Sequence, residues 1–280
     1  MKTLVTGGSG FLGRAVCTRL AEAGYQVRSL SRTLHPQLSK AGIEQYQADI
    51  RHASHVAAAA EGCQAVVHCA AKVSLWGSPS DYQTVNVTGT HHVIAACRRH
   101  GIDRLVFTSS PSVVIGSTHL EGVDESHPYA ARYGNHYGRT KAEAERAVNA
   151  ADSAGLATVC LRPHAIIGPG DPHLVPRLLH RARSGRLRWP GGGQHLTDFT
   201  YIDDAAEHIF WLWRSCAPGA RSQGEHTSLA RARAPCHPRR REPAAASRRP
   251  AARAPGRTGR RGPRGCRGTG TAVPVFAHHG

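Results

Sequence analysis

"LVTGGSGFLG", residues 4–13, is the stretch that decides the fold. A β-branched run enters a turn in which Gly7, Gly10 and Gly13 stand three residues apart, and a helix-period pattern follows directly. In a strand–turn–helix unit of this kind, the first glycine permits the tight turn and the second admits a pyrophosphate close to the backbone. The third lets the helix pack closely on the strand. The stretch therefore predicts a dinucleotide-binding turn rather than a plain connection.

The remainder of the first 215 residues alternates short β-branched runs with longer Ala-rich runs of helical period. The run "AVVHCAA" at 65–71 is nearly all apolar, as in a central strand that is covered on both faces. Strands that alternate with helices form right-handed crossovers and a parallel sheet. We therefore expect an α/β fold with a doubly wound, Rossmann-like parallel sheet and an incomplete C-terminal substrate lobe.

Composition divides the chain into three parts. We expect a dinucleotide-binding Rossmann domain over 1–167, a partial substrate-binding region over 168–224 and an Arg/Pro/Ala/Gly tail over 225–280. The composition of the tail cannot bury enough apolar area to offset the entropy of ordering it. The sequence therefore predicts that the tail is disordered or is the product of a shifted reading frame.

The formal net charge of +17 is concentrated in that tail. Residues 225–280 hold 13 of the 36 Lys and Arg residues and two of the 19 acidic residues, which leaves +11 there and +6 on residues 1–224. Phe276 is the one aromatic residue of the tail apart from histidine, whereas surfaces that bind single strands interleave aromatic side chains with cations. We expect no specific nucleic-acid partner, and a nonspecific basic arm is the least favoured alternative.

The cysteine spacing and the hydropathy indicate a reduced, soluble protein. None of the eight cysteines forms a C-x-x-C pair and the histidines lack ligand spacing, so we expect free thiols and no metal site. No apolar run approaches the ~20 residues of a membrane span. The N-terminus also leaves no room for the apolar region of a signal peptide. The prediction is a cytoplasmic protein without a membrane span.

The end of the second predicted strand reads "SLSR", with Ser31 and Arg32 where an NAD enzyme usually has an acid. A guanidinium suits a 2′-phosphate, so NADP(H) is the preferred cofactor and NAD(H) is the alternative. An arginine in solvent on a loop is the simpler interpretation of Arg32. Asp49, in "ADI" with Ile50, is a candidate acceptor for the adenine amino group, although a turn-capping role fits it almost as well.

The motif "YGRTK" places Tyr137 and Lys141 four residues apart, so both side chains project from one face of a helix. A nearby ammonium and the positive nicotinamide ring of an oxidised cofactor both favour the phenolate, which we expect to move the pKa of the tyrosine toward neutral pH. "FTSS" ends a predicted strand at the edge where open α/β sheets bind ligands, and a hydroxyl of Ser109 or Ser110 suits a substrate carbonyl there. By itself, the Tyr–Lys spacing is also that of an ordinary surface pair.

Together these motifs resemble those of the extended short-chain dehydrogenases/reductases, which include the NAD-dependent epimerases/dehydratases. "TGGSGFLG" is similar to the family's T-G-x-x-G-x-x-G turn, "YGRTK" to its Y-x-x-x-K, and "NVTGT" (86–90) to its N-V-x-G-T helix start. "TSSPSVV" (108–114) and "LRPHAIIGPGD" (161–171) resemble its 3β-hydroxysteroid dehydrogenase-like branch. Within that branch, "AAKVSLWG", "LVPRLLHRARSGRLR" and "DFTYIDDAA" are most similar to bacterial 2-alkyl-3-oxoalkanoate reductases of olefin biosynthesis. The resemblance covers about residues 1–224.

The resemblance implies roles for individual residues. Tyr137 would donate the proton, and Lys141 would support it electrostatically and bind the ribose. Ser110, in preference to Ser109, would hydrogen-bond the carbonyl oxygen, and the backbone after Pro163 would hold the nicotinamide carboxamide. The implied cofactor-binding set is Gly7, Ser9, Gly10, Phe11, Leu12, Gly13, Arg32, Asp49, Ile50, Ala70, Ala71, Tyr137, Lys141 and Pro163.

The reaction that the resemblance implies is hydride transfer from NADPH to the ketone of an apolar substrate, a 2-alkyl-3-oxoalkanoate that becomes the 3-hydroxy acid. Arg177, Arg181 or Arg188 is a candidate partner for the substrate carboxylate, although an exposed basic helix face is the simpler interpretation. A sterol 3β-dehydrogenase, a sugar-nucleotide epimerase or dehydratase, and a truncated inactive relative are the alternatives. The resemblance also implies a candidate homodimer through the helices near 87–101 and 137–152.

The family resemblance ends at "GEHTSLARA", where relatives continue with a strand of the type A-Y-F-I. We predict that the reading frame has shifted at about residue 225. In the neighbouring frame, the codons from Glu225 to Ser228 can encode Ala or Thr, then Tyr or His, then Phe, Leu, Ile or Val. The nucleotide sequence of the gene tests this prediction. An early stop codon in that frame, or the absence of a family-like lobe, contradicts it.

Overall fold

The computed structural model describes residues 1–73, 77–116, 120–172, 174–188 and 197–216, together with the strand Phe276–His278. These residues all belong to one of the two units into which the chain divides, Met1–Ala230 with Val273–Gly280. The predicted change of frame at residue 225 and almost all of the predicted tail lie outside the described residues.

A parallel sheet forms the centre of the described part of the chain. Its strand order is β3-β2-β1-β4-β5-β6, so the chain builds one half outward from β1 and then returns to build the other half. This is the doubly wound order of dinucleotide-binding folds, and it confirms the predicted fold class. The six parallel strands are Lys2–Thr6 (β1), Gln26–Ser31 (β2), Glu44–Gln47 (β3), Ala65–His68 (β4), Arg104–Thr108 (β5) and Ala157–Arg162 (β6).

Three shorter strands complete the described sheets. Ala165–Ile167 (β7) pairs in parallel with Phe199–Tyr201 (β8) as a separate two-stranded sheet. Phe276–His278 (β9) pairs antiparallel with β6 at the edge of the main sheet.

The central strands are buried along their whole length. All four residues of β4 are buried, as the apolar run at 65–71 predicted, and β4 lies between β1 and β5. Val66 is the register partner of Leu4 on one side and of Leu105 on the other. All six residues of β6 are buried as well. Helices therefore have to cover both faces of this sheet.

Two apolar clusters fill the space between the sheet and its helices, one on each face. The eight α-helices of the described residues are Phe11–Glu22 (α1), Pro36–Lys40 (α2), Ala53–Ala60 (α3), Pro79–Tyr82 (α4), Gly89–His100 (α5), His136–Ala151 (α6), Leu174–Arg183 (α7) and Ile202–Ser215 (α8). The first cluster contains side chains of α3, α5 and α6, and the second contains side chains of α1 and α8. A π-helical segment, Gln83–Thr88, joins α4 to α5, and a short 3-10 helix, Pro111–Val113, follows β5.

Helix α8 lies in the stretch 168–224 but packs against α1. Trp213 is 1% exposed, and its ring meets that of Tyr25 edge-on at 4.5 Å between centroids. The Arg19 guanidinium pairs with Glu207 and lies 4.0 Å from the centre of the Phe210 ring. A division of the chain at residue 167 therefore stays a prediction, and α8 contributes to the core of the nucleotide-binding sheet.

Of the described helices, none is long and apolar enough to cross a membrane. The described residues also hold no cluster of His, Cys, Asp and Glu that suits a metal ion. Each of the six described cysteines is free.

The ring of Trp213 makes α8 a part of the core, so Trp213→Ala is expected to lower the free energy of unfolding by ~3–5 kcal/mol. Trp211→Ala is the matched control, because Trp211 lies on the same helix and is 54% exposed. We expect that control to change the stability by less than ~0.5 kcal/mol. Urea denaturation followed by circular dichroism measures both, and an equal loss in the two variants contradicts the packing of α8.

Candidate active site

The glycine turn brings β1, α1 and the end of β4 into close contact. Gly7 has a φ of +71°, and its N–H donates to the Leu30 carbonyl at 2.7 Å. A Cβ at Gly7 would lie 2.9 Å from the backbone of Ala70, and a Cβ at Gly13 would lie 2.1 Å from the Gly7 oxygen. Neither position has space for a side chain. Because both residues are glycines, no side chain at these two positions stands between the backbone of the turn and a ligand.

Helix α1 begins at this turn with donors that no side chain caps. Gly10 is the N-cap residue in extended conformation, and it makes no side-chain capping bond. A Cβ there would lie 3.1 Å from the Gly7 oxygen. Phe11 and Leu12 form the first turn and are partly buried. The unpaired N–H groups and the helix dipole at this end suit a pyrophosphate, so the turn fits the cofactor that the sequence predicts.

Gly8 is a further glycine of the turn that has no space for a side chain, and the three-glycine motif does not include it. A Cβ at Gly8 would lie 2.4 Å from the Ser29 hydroxyl and 2.9 Å from the Cys17 sulfur. The extra glycine in "GGSG" was the available signal, because it exceeds what the three-glycine spacing requires.

The end of β2 presents hydroxyls and one exposed guanidinium. The Ser9 N–H donates to the Ser31 hydroxyl at 2.9 Å, and the Ser9 hydroxyl lies 3.4 Å from that of Thr33. Arg32 is exposed, and its backbone carbonyl accepts from the Gln47 amide at 3.1 Å. The predicted position of a 2′-substituent is therefore open, with Arg32 beside it.

Asp49 is held in a turn by Arg51. One carboxylate oxygen accepts from the Arg51 backbone N–H at 2.9 Å and the other from its guanidinium at 2.7 Å. The bond from the Arg51 side chain lowers the pKa of Asp49, and the charge of Arg32 adds to the effect. The geometry is that of the turn-capping alternative, and an adenine contact stays a prediction. Ile50 is 5% exposed and packs where a side chain at Gly89 would lie.

Tyr137 and Ser110 meet at the carboxyl edge of the sheet. Asn135 caps α6 by accepting from the Gly138 N–H at 2.8 Å, which places Tyr137 in the first helical turn. Burial raises the pKa of Tyr137 to about 12, and its side-chain hydrogen bond to Ser110 opposes this shift. The phenol is therefore protonated at neutral pH.

Lys141 lies one helical turn after Tyr137, and its predicted effect on the pKa of Tyr137 in the presence of an oxidised cofactor stays a prediction. Lys141 is 2% exposed, and its ammonium donates to the Thr108 carbonyl at 2.6 Å and lies 3.9 Å from the centre of the Phe107 ring. Desolvation lowers the pKa of Lys141 to about 8, against the charge of Glu145, which raises it. The ammonium thus faces the sheet, and burial dominates the pKa of Tyr137.

The two serines that follow β5 have different partners. Ser109 is 4% exposed, and its hydroxyl donates a hydrogen bond to the Glu145 carboxylate. Ser110 accepts from the Ser112 N–H at 3.2 Å, and its hydroxyl is the neighbour that opposes the raised pKa of Tyr137. The hydroxyl adjacent to the tyrosine is therefore that of Ser110.

The loop after β4 carries Ala70 and Ala71, both partly buried. The Asn86 side chain accepts from the Lys72 N–H at 2.7 Å and donates to the Thr140 hydroxyl at 3.1 Å. Asn86 thus ties this loop to α6 from within the π-helical segment. Pro163 is buried and directly follows β6, so its backbone stands at the same edge of the sheet.

Two buried polar groups near the site were missed by the motif analysis. His68 is 1% exposed and lies between the hydroxyls of Thr6 at 2.6 Å and Thr90 at 3.0 Å. Burial lowers the pKa of His68 to about 3, so the ring is neutral. Glu145 is 0% exposed and pairs with Arg162 at 2.6 Å. The position of Glu145 four residues after Lys141 was the one available signal.

Comparisons with known proteins agree with this geometry. The 3-beta hydroxysteroid dehydrogenase/isomerase family pattern matches residues 4–214. The 2-alkyl-3-oxoalkanoate reductase of Stenotrophomonas maltophilia (strain K279a) is 49% identical over 227 residues, which cover 80% of this chain and 69% of that protein. The protein of the same name from Shewanella oneidensis is 41% identical over 229 residues, which cover 79% of this chain and 59% of that protein. The chain thus matches only part of the length of either relative.

Among solved structures, MoeE5 in complex with UDP-glucose and NAD superimposes with a TM-score of 0.68. The two are 27% identical, and the match covers 77% of this chain and 73% of that chain. The chain belongs to the 3-beta hydroxysteroid dehydrogenase/isomerase family of NAD(P)-dependent oxidoreductases, on the fold of the short-chain dehydrogenases/reductases.

Proposed function

We propose that the protein is an NADP(H)-dependent reductase that converts a 2-alkyl-3-oxoalkanoate to the 3-hydroxy acid. The observation that carries this proposal is the placement of the Tyr137 phenol next to the Ser110 hydroxyl at the carboxyl edge of the sheet, where β5 ends. A protonated phenol next to a second hydroxyl suits the reduction of a ketone, because the new alkoxide needs a proton donor.

Three side chains have separate roles in the proposed reaction. Ser110 donates a hydrogen bond to the carbonyl oxygen, and Tyr137 transfers its hydroxyl proton to that oxygen as the carbonyl carbon is reduced. Lys141 uses one of its three N–H donors on the Thr108 carbonyl, so two remain for the hydroxyls of a ribose. When bound in the glycine turn, NADPH supplies the hydride.

The substrate class comes from the relatives and from α7. Both relatives described above carry the name 2-alkyl-3-oxoalkanoate reductase. Helix α7 exposes Leu178 and Leu179 beside basic side chains, a combination that suits an acyl chain with a carboxylate. Arg177, Arg181 and Arg188 are the candidate partners of that carboxylate.

Preference for NADP(H) rests on the charges around the end of β2. The Asp49 carboxylate is neutralised by Arg51, so it does not oppose a phosphate next to Arg32. Arg14, in the first turns of α1, lies 2.9 Å from the His35 ring and adds a second guanidinium to this side of the turn. NAD(H) is the alternative, since the MoeE5 structure is a complex with NAD.

Replacing Tyr137 by Phe removes the proton donor and leaves the ring in place. We expect the turnover of a 2-alkyl-3-oxoalkanoate to fall by ~10²–10⁴-fold, with NADPH binding nearly unchanged. Absorbance of the reduced nicotinamide measures turnover, and its fluorescence measures binding. Tyr133→Phe is the control, because the Tyr133 hydroxyl donates to the Val113 carbonyl and stays clear of the Ser110 pair. Full activity of Tyr137→Phe overturns the proposal.

Replacing Arg32 by Ala tests the cofactor preference. Loss of a charge-assisted bond to the 2′-phosphate is expected to weaken NADPH binding by ~10–100-fold, while NADH binding stays within a few-fold. Arg98→Ala is the control, since Arg98 is exposed in the last turn of α5, at the opposite edge of the sheet. Equal weakening of both cofactors in Arg32→Ala refutes the preference.

A further inference from the structure

Glu145 is a fully buried carboxylate that the proposed reaction does not use. It lies on α6 one turn after Lys141 and two turns after Tyr137, on the same face of the helix. It accepts from the Ser109 hydroxyl, from the Tyr129 hydroxyl at 2.9 Å and from the Arg162 guanidinium at 2.6 Å. One side chain thus joins α6 to the end of β5, to the end of β6 and to the loop that carries Tyr129.

Stability alone is a weak reason for this buried pair. A buried carboxylate and guanidinium lose their hydration, and well-packed apolar side chains in their place are often as stable. Glu145 is instead placed where its contacts matter for chemistry, since Ser109 precedes Ser110 and Arg162 precedes Pro163.

The charge of Glu145 also acts on Lys141. The titratable groups that interact electrostatically with the Lys141 ammonium come from α6, from β4 and the loop after it, and from β6. These groups are Glu145, His68, Cys69 and Cys160. Burial raises the pKa of the Cys69 and Cys160 thiols and lowers the pKa of His68, so these three groups are neutral at pH 7. Glu145 is therefore the one anion of the four.

We propose that Glu145 is a positioning residue of the site, which keeps Lys141 cationic and, through Ser109, holds Ser110 against Tyr137. The catalytic consequence rests on the proposed function, whereas the effect on the charge of Lys141 does not. The two are tested by separate measurements.

The chain has four lysines, Lys2, Lys40, Lys72 and Lys141, so Lys141 can be followed directly by NMR of lysine labelled with ¹³C at Cε. The full-length protein is titrated with pH, and Lys141→Arg assigns the signal. We expect the wild-type midpoint near the lowered pKa of about 8. Glu145→Gln removes the anion and is expected to lower that midpoint by ~1 pH unit. Glu145→Asp keeps the charge and is expected to restore most of the shift.

Glu143→Gln is the matched control. Glu143 lies on the same helix and pairs with Arg139 at the surface, with 31% of its side chain exposed. We expect the Lys141 midpoint to be unchanged in this variant. Ser109→Ala separates the two parts of the proposal, because it removes the link to Ser110 and keeps the charge. It is expected to lower ketone turnover by ~10-fold with the Lys141 midpoint unchanged.

A folded Glu145→Gln protein with the wild-type Lys141 midpoint overturns the proposal. If the unpaired Arg162 prevents folding, Glu145→Gln with Arg162→Met removes both charges, and a downward shift of the midpoint is again expected. Failure of this double variant to fold also counts against the proposal, since it assigns Glu145 a purely structural role. A wild-type protein that shows the Lys141 shift but binds no NADPH contradicts the proposed function alone.

Discussion

A Cβ at Gly13 would lie 2.1 Å from the Gly7 carbonyl oxygen, so α1 can lie against the end of β1 only with a glycine at that position. Gly7 meets the same constraint from the other side, against the backbone of Ala70 at the end of β4. The close approach fixes three elements relative to one another. It also leaves the first N–H groups of α1 without a covering side chain, which is what a pyrophosphate requires.

Burial governs the acid–base groups at the carboxyl edge of the sheet. A low-dielectric setting favours the neutral form of each group, which raises the pKa of Tyr137 and lowers those of Lys141 and His68. Charged forms persist there only beside a compensating partner, as Glu145 does beside Arg162. The direction of each proton transfer at this edge therefore depends on which charges are paired.

The sheet and the glycine turn could be predicted from the sequence, because they depend on patterns among neighbouring residues. These patterns are the spacing of apolar residues along the chain, the spacing of the glycines and the apolar runs. The burial of β4 and the placement of Tyr137 on α6 are of this kind, whereas the order of the strands is a property of the whole fold. The orientation of Lys141 toward Thr108 is not of this kind, since it depends on a carbonyl of another strand. The motif "FTSS" also does not distinguish Ser109 from Ser110. Ser109 is bound by the Glu145 carboxylate, which lies 36 residues away in the sequence. The bond between Asp49 and Arg51 likewise does not follow from the motif, which allows an adenine contact and a turn cap equally.

Helix α8 completes the second apolar cluster with Trp213, twelve residues before the predicted change of frame at Glu225. The described residues of both clusters lie upstream of that codon. The codons for both described clusters therefore precede the predicted change of frame, and an insertion or deletion after α8 would leave those codons intact.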